Sequence, residues 1–154
     1  MKTTKHFLSA FVQGCIVLGM LTGVALMIDL FVYEMPIVTE FFAKEGKPQA
    51  YAAISGVIAT LCILGGEYIA FTLLCMMRTL DSDPFVEKNV KALRRMGAVA
   101  LIIALLGAGT LLLHPVPLAV IAAAPVAMCG LFSLVLSRVF AQAVAYKQEN
   151  DLTV

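Results

Sequence analysis

The chain has 154 residues, of which 61% are hydrophobic and 14% charged, and its formal net charge is +1 at pH 7. Soluble domains carry about 25% charged residues, so this composition cannot cover a water-facing surface. The small net charge also argues against binding nucleic acid through the field of the whole protein. A mean hydropathy of +0.95, concentrated in long apolar runs, predicts an integral membrane protein.

Four apolar runs are long enough to cross a bilayer as helices, which satisfy their own backbone hydrogen bonds in lipid. They predict spans at about residues 7–28, 51–77, 97–113 and 118–139. The first run follows the basic stretch MKTTKH, but it is too long for a signal peptide and lacks an A-x-A-like exit. The sequence therefore predicts an uncleaved, all-α, four-helix membrane bundle that forms one domain.

The first predicted span contains a G-x-x-x-G pattern made by Gly19 and Gly23. Small residues at this spacing let two helices approach closely. Packing within the chain and a homodimer interface both use such a face. We expect packing within the chain in a four-helix bundle, and a homodimer through Gly19 and Gly23 stays open.

The second predicted span holds one charged residue, Glu67, within the stretch ILGGEYIAF. An intramembrane carboxylate costs about 3 kcal/mol and marks a functional site by default. Glu67 shares one helix face with small residues such as Gly56 and Ala70, so this face is expected to point into the bundle. A structural hydrogen bond and a ligand or proton role remain open for it.

A hydrogen bond to a hydroxyl is the expected environment of Glu67, because no lysine or arginine lies in the same run. A protonated acid with such a partner is the least costly state in lipid. The candidate partners are Tyr68, Thr60, Thr22 and Ser133. The spacing of these residues does not choose among them.

The segment 84–96 predicts a short amphipathic helix that Asp83 caps and Pro84 begins. Its apolar side would carry Phe85, Val86, Val90, Leu93 and Met96, and its basic side Lys88, Lys91, Arg94 and Arg95. Asn89 falls on the apolar side and therefore needs a buried partner. We expect this helix to lie along the inner leaflet before turning into the third span, either as an anchor for anionic lipid or as a docking surface.

Basic residues are unevenly divided between the two sides of the predicted spans. Nine of the eleven lie at the N-terminus, in the 78–95 loop or on the C-terminal side, and only Lys44 and Lys47 lie on the other side. By the positive-inside rule, both termini and the 78–95 loop are expected to be cytoplasmic.

The fourth helix is expected to reach about Tyr146, and the polar tail at 147–154 is expected to fray. The final Leu152, Thr153 and Val154 are also suited to adding to a sheet edge of a partner.

Enzymatic motifs are missing from the sequence, which contains no HExxH, no GxSxG and no glycine-rich phosphate loop. His6 and His114 are predicted on opposite sides of the membrane, so they cannot share a haem. The cysteines are interpreted as packing residues, since none forms a CxxC pair; they are Cys15, Cys62, Cys75 and Cys129. The sequence predicts neither an enzyme nor a bound metal or cofactor.

Two stretches, RTLDSDPFVEKNVKALRRMG after the second span and VFAQAVAYKQENDLTV in and after the fourth, carry a resemblance. The chain resembles a bacterial family of small four-helix membrane proteins called domain of unknown function 2975. The resemblance covers about residues 60–154, and the first helix and outer loop match only in hydropathy. It depends on Pro84-Phe85, Asn89, Leu93-Arg94-Arg95 and the ending Glu149-Asn150-Asp151-Leu152-Thr153-Val154.

The family has no established activity, but its members are typically encoded beside a helix-turn-helix regulator of the Xre type. The resemblance thus implies a bacterial inner-membrane protein that anchors or senses for such a regulator and does not itself contact nucleic acid. The residues expected to meet a partner or lipid are Phe85, Asn89, Leu93, Arg94, Arg95, Asn150, Asp151, Leu152, Thr153 and Val154. The alternative is a small ion- or proton-coupled transporter, or a transporter subunit, that uses Glu67.

Overall fold

The structure is a computed structural model that describes residues 2–32, 44, 46, 49–80, 84–112 and 117–151. These residues form four α-helices: α1 (Lys2–Val32), α2 (Gln49–Leu80), α3 (Glu87–Gly109) and α4 (Pro117–Asp151). A 3₁₀ turn at Thr110–Leu112 follows α3. Each helix contains a stretch long and apolar enough to cross a membrane, so the predicted all-α class with four membrane-length helices is confirmed.

Helix α3 differs from the prediction at its start. It begins at Glu87 rather than Pro84, and it runs without interruption from there to Gly109, so residues 87–96 are its first turns and not a separate helix. Val86 takes the N-cap position without a side-chain capping bond, and the predicted cap, Asp83, lies outside the described residues. The helix continues through Gly97 because this glycine packs against α4 instead of ending the helix.

Helix α4 is longer than predicted, since it continues past Tyr146 to Asp151 and includes Pro125 in its interior. Val144 in its last turns is buried, with 7% of its surface exposed. Side-chain packing of this kind supplies most of the stability of helices in proteins. The tail that was predicted to fray is helical over residues 147–151. Residues 152–154 lie outside the described ranges.

The four helices contact one another in chain order. The main contacts join α1 to α2, α2 to α3 and α3 to α4, and the described residues of α1 and α4 make no contact of similar extent. The predicted bundle is therefore an open row in this structure. No described side chain of α1 is buried, whereas α3 and α4 carry most of the core.

The contact between α3 and α4 repeats every seven residues. Among the described side chains of α4, the buried positions are Ala123, Gly130, Ser137 and Val144. At the crossing point, a Cβ added to Gly97 would lie 2.8 Å from the carbonyl oxygen of Gly130, and one added to Gly130 would lie 3.0 Å from that of Gly97. The two backbones reach this separation only because both residues are glycine.

Candidate functional site at the charged end

The candidate site lies at the end of the helices that carries the first turns of α3 (residues 87–96) and the last turns of α4 (residues 139–151), which we call the charged end. Asn89 anchors it, with only 1% of its surface exposed. Its Nδ2 donates a hydrogen bond to the Pro84 carbonyl at 2.9 Å, and its Oδ1 accepts one from Thr79 Oγ1 at 3.0 Å. The predicted need for a buried partner is confirmed. One amide thus joins the end of α2, the connection before α3 and the first turn of α3.

The apolar side of the first turns of α3 packs against α4. Val90, Leu93 and Met96 are buried, and the ring of Phe85 lies 5.5 Å from that of Phe140, centroid to centroid. Ser133 Oγ also donates a hydrogen bond to the Leu93 carbonyl at 2.9 Å. Helix α4 therefore covers residues that were expected to rest on the inner leaflet. The basic side chains of these turns, Lys88, Lys91, Arg94 and Arg95, are exposed.

A groove runs between α3 and α4 at the charged end, and we call it the α3–α4 groove. It has a volume of about 340 Å³. Val90 and Val144 contribute apolar surface, and Arg94 with Gln148 contributes polar groups; the remaining lining residues are Glu87, Lys91, Ala141 and Ala145. An apolar floor with charged residues beside it is the usual form of a groove that receives side chains of a partner.

A larger cavity lies on the other side of α3, between α3 and α2, and we call it the basic cleft. Its volume is about 510 Å³. The α2 side supplies Tyr68, Phe71, Thr72, Cys75 and Met76. The α3 side supplies Lys88, Asn89, Lys91, Ala92 and Arg95. Three cations and no carboxylate are among the described residues that line this cleft, so its cationic side is suited to an anion.

The two adjacent arginines predicted as one patch line different cavities. Arg94 lines the α3–α4 groove and Arg95 lines the basic cleft, because successive residues of a helix point about 100° apart. Lys91 lies between them and lines both cavities. Its Nζ forms an ion pair with Glu87 Oε2 at 3.1 Å, one helical turn away.

Glu67 lies away from the charged end, between α2 and α1. Its carboxylate occupies the space that a side chain at Gly23 would fill, with Cδ 3.0 Å and Cγ 3.6 Å from the position of an added Cβ. The opposite side of α2 faces α3, where Gly65 meets Ile103. The face that carries Glu67 thus points at a neighbouring helix, as expected, and that neighbour is α1.

The predicted polar site around Glu67 is not assembled. Thr60 donates its hydroxyl hydrogen to the Gly56 carbonyl at 2.8 Å and Thr22 to the Leu18 carbonyl at 2.9 Å, while Ser133 bonds to Leu93. Tyr68 lines the basic cleft instead. Among the described residues, none is hydrogen-bonded to Glu67. The sequence contains several hydroxyls that were candidate partners of Glu67. Helical Ser and Thr bond readily to carbonyls of the preceding turn, and Thr60 and Thr22 do so here.

The remaining described residues predicted to meet a partner, and the glycines of the predicted dimer face, lie on different helices. Asn150 is exposed near the end of α4, and Asp151 is the last residue of that helix, whereas Leu152, Thr153 and Val154 lie outside the described residues. Gly23 of the G-x-x-x-G pattern contacts Glu67, while Gly19 has open space beside it. The Gly97–Gly130 crossing was not predicted from the sequence. A signal for it exists there, in the seven-residue spacing of Ala123, Gly130, Ser137 and Val144.

The fold and the charged end define a multi-pass membrane protein with four membrane-length helices. A family model described as "Protein of unknown function (DUF2975)" matches residues 32–154. The chain belongs to this family, as the resemblance indicated, and the match begins at residue 32 rather than near residue 60. Comparison with curated proteins and with solved structures finds no match.

Proposed function

We propose that this protein is an inner-membrane interaction partner of a cytoplasmic helix-turn-helix transcription regulator, which it holds or releases at the α3–α4 groove. The observation that carries the proposal is the groove itself, an open cavity with the largely buried Val90 and Val144 at its floor and the exposed Arg94 beside them, on the best-packed pair of helices. A partner that inserts an apolar side chain and presents a carboxylate to Arg94 fits this chemistry.

The distribution of basic residues supports a cytoplasmic position for the groove. The charged end lies on the side of the spans that carries nine of the eleven basic residues. Basic residues near the ends of spans are retained in the cytoplasm. A soluble regulator would therefore meet the groove from the cytoplasmic side. The choice of a helix-turn-helix regulator comes from the resemblance, whose family members are typically encoded beside one.

The packing of the groove walls supports the groove, rather than the C-terminal tail alone, as the binding site for the regulator. Asn89, the Phe85–Phe140 contact and the buried Val144 hold both walls of the groove in position. A site whose walls are already ordered loses little conformational entropy when a partner binds. The helical residues up to Asp151 extend one wall toward the family's distinctive ending.

Recovery of the regulator encoded by the adjacent gene tests the proposal. The tagged full-length chain is solubilised from membranes in mild detergent, and the co-purified regulator is quantified. We expect Arg94→Glu to lower recovery about tenfold or more, because it turns an attractive contact into a repulsive one. Deletion of residues 149–154 should lower it as well.

Arg95→Glu is the matched control, with the same charge change one residue along the same helix. It should leave recovery close to that of the unchanged chain, because Arg95 lines the other cavity. All variants are checked for equal amounts in the membrane fraction. Unchanged recovery with both Arg94→Glu and the 149–154 deletion would exclude this function.

A second candidate, a small ion- or proton-coupled transporter or a subunit of one, is favoured by one observation. Glu67 is a carboxylate between two apolar helices, and none of the described residues is hydrogen-bonded to it. Four spans are few for a carrier, so this function requires a dimer. In liposomes with a pH gradient, Glu67→Gln should retain the fold and stop proton-coupled flux. Normal flux by a folded Glu67→Leu variant would eliminate this candidate.

A further inference from the structure

The basic cleft has two chemically different sides. The α3 side carries Lys88, Lys91 and Arg95, and the α2 side carries the aromatic rings of Tyr68 and Phe71. Phe71 is 59% exposed, so a large apolar surface faces an open cavity next to cations. A free inorganic anion would make no favourable contact with the aromatic side, and a neutral apolar molecule would make none with the cations. The cleft is suited to a ligand that is anionic at one end and apolar along the rest.

The position of the cleft along the helices agrees with this division. Tyr68 precedes Thr79, the last residue of the apolar stretch of α2, by eleven residues, which is about 16 Å of helix. The cleft therefore runs from the end of the apolar stretch well into it. Lys88 and Arg95 are seven residues apart on α3, about 10 Å along its axis. In a bilayer, cations near the end of an apolar stretch extend toward the phosphates of the phospholipids.

The cations of the cleft differ in how far they are already neutralised. Lys91 is paired with Glu87. No ion pair joins Lys88 or Arg95 to any residue that the structure describes, and both side chains are exposed. Two positive charges are thus available to one anionic group. Asn89 contributes to the wall of the cleft, and its hydrogen bonds with Thr79 and Pro84 hold its amide in place.

We propose that the basic cleft binds one anionic glycerophospholipid, with its phosphate between Lys88 and Arg95 and an acyl chain along Phe71 and Tyr68. The same phosphate chemistry is offered by soluble phosphate compounds, but these lack the chain that the α2 side would contact. The proposal does not depend on a protein partner, because the cleft and the α3–α4 groove lie on different sides of α3.

Native mass spectrometry of the purified full-length chain in detergent tests the proposal by counting bound lipid during a titration with phosphatidylglycerol. We expect one lipid to bind, and removal of each charge to weaken binding about fivefold, or about 30-fold for Lys88→Gln with Arg95→Gln together. Arg94→Gln, the matched control on the other side of α3, should bind as the unchanged chain does. Phe71→Ala should weaken binding about threefold or more through the acyl chain.

Three comparisons decide the outcome. Phosphatidylcholine, which has no net charge, should bind much more weakly, and equal binding of the two lipids would overturn the proposal. Inorganic phosphate should fail to displace the lipid; full displacement at millimolar concentration would show a soluble anion to be the occupant. If Arg94→Gln weakens binding as much as the double variant, the lipid binds to the general surface charge and the cleft is not the site.

Discussion

Helices α1 and α2 on one side and α3 and α4 on the other are both long and apolar, yet they pack very differently. The α3–α4 pair buries a residue at every seventh position of α4 and crosses at Gly97 and Gly130. By contrast, α1 has no buried side chain among its described residues, and its Gly23 meets the flexible side chain of Glu67 in α2 rather than backbone. Apolarity alone does not bring helices together in lipid, because the acyl chains are equally apolar.

The difference shows that the position of small residues, and not the hydropathy of a span, decides which helices form the rigid part of this protein. Glycines at 97 and 130 let backbone contact backbone, and the seven-residue repeat continues that contact to the charged end. Both cavities proposed as binding sites use a wall of α3. The two proposed binding sites therefore both use α3 of the well-packed pair, and none of the described side chains of α1 lines either cavity. The transporter alternative alone depends on the contact of α1 with α2 at Glu67.

Gly97→Leu tests the comparison with the largest expected effect. The added side chain would meet the Gly130 carbonyl and Leu134, so the helices must separate. We expect the free energy of unfolding to fall by about 3 kcal/mol or more. Thermal unfolding followed by circular dichroism in detergent measures the loss.

Gly19→Leu on α1 is the matched control, since nothing lies within 4 Å of a Cβ at that position. Its effect on unfolding should stay within about 0.5 kcal/mol. Equal losses in the two variants would contradict the contrast between the helix pairs. The same control tests the predicted homodimer, because cross-linking in the membrane should fall in Gly19→Leu if Gly19 lies at the dimer interface.

Asn89→Leu should have the next largest effect and should be confined to the charged end. The change leaves the Pro84 carbonyl and the Thr79 hydroxyl without their amide partner, which costs about 1–3 kcal/mol. Faster tryptic cleavage at Arg78 and Lys88 would report the loosened connection between α2 and α3. Gln142→Leu, at an exposed position of α4, should be cleaved at the unchanged rate. Equal cleavage of both variants would mean that Asn89 does not hold this connection.

Gly23→Ala should have the smallest effect of the three changes at packed positions, because the atoms it meets belong to the movable end of the Glu67 side chain. We expect a loss of about 1 kcal/mol from this crowding. Glu67→Ala removes the obstacle, so the double variant should be more stable than the sum of the single changes predicts. A double-mutant cycle of unfolding free energies measures this coupling. Strict additivity would mean that Glu67 does not pack on Gly23.

Several features followed directly from the sequence. The apolar runs predicted four helices of membrane length, because no other open structure satisfies the backbone in lipid. Asn89 on an apolar helix face predicted a buried amide with partners, because an unpaired one is costly. The ends of the helices were predicted less well, since α3 begins later and α4 continues further than composition indicated.

The sequence by itself determined the class of this protein and its four membrane-length helices, since these depend on the transfer of apolar side chains from water. It also determined that Asn89 needs a hydrogen-bond partner, since this depends on local spacing along the helix. The tertiary structure decided which neighbour each face meets. Glu67 contacts α1 rather than the predicted hydroxyls, and Arg94 and Arg95 border different cavities. Which neighbour a face meets depends on the packing of two helices against each other, and the pattern of one helix does not contain it. The close approach of α3 and α4, for example, requires Gly97 and Gly130 together.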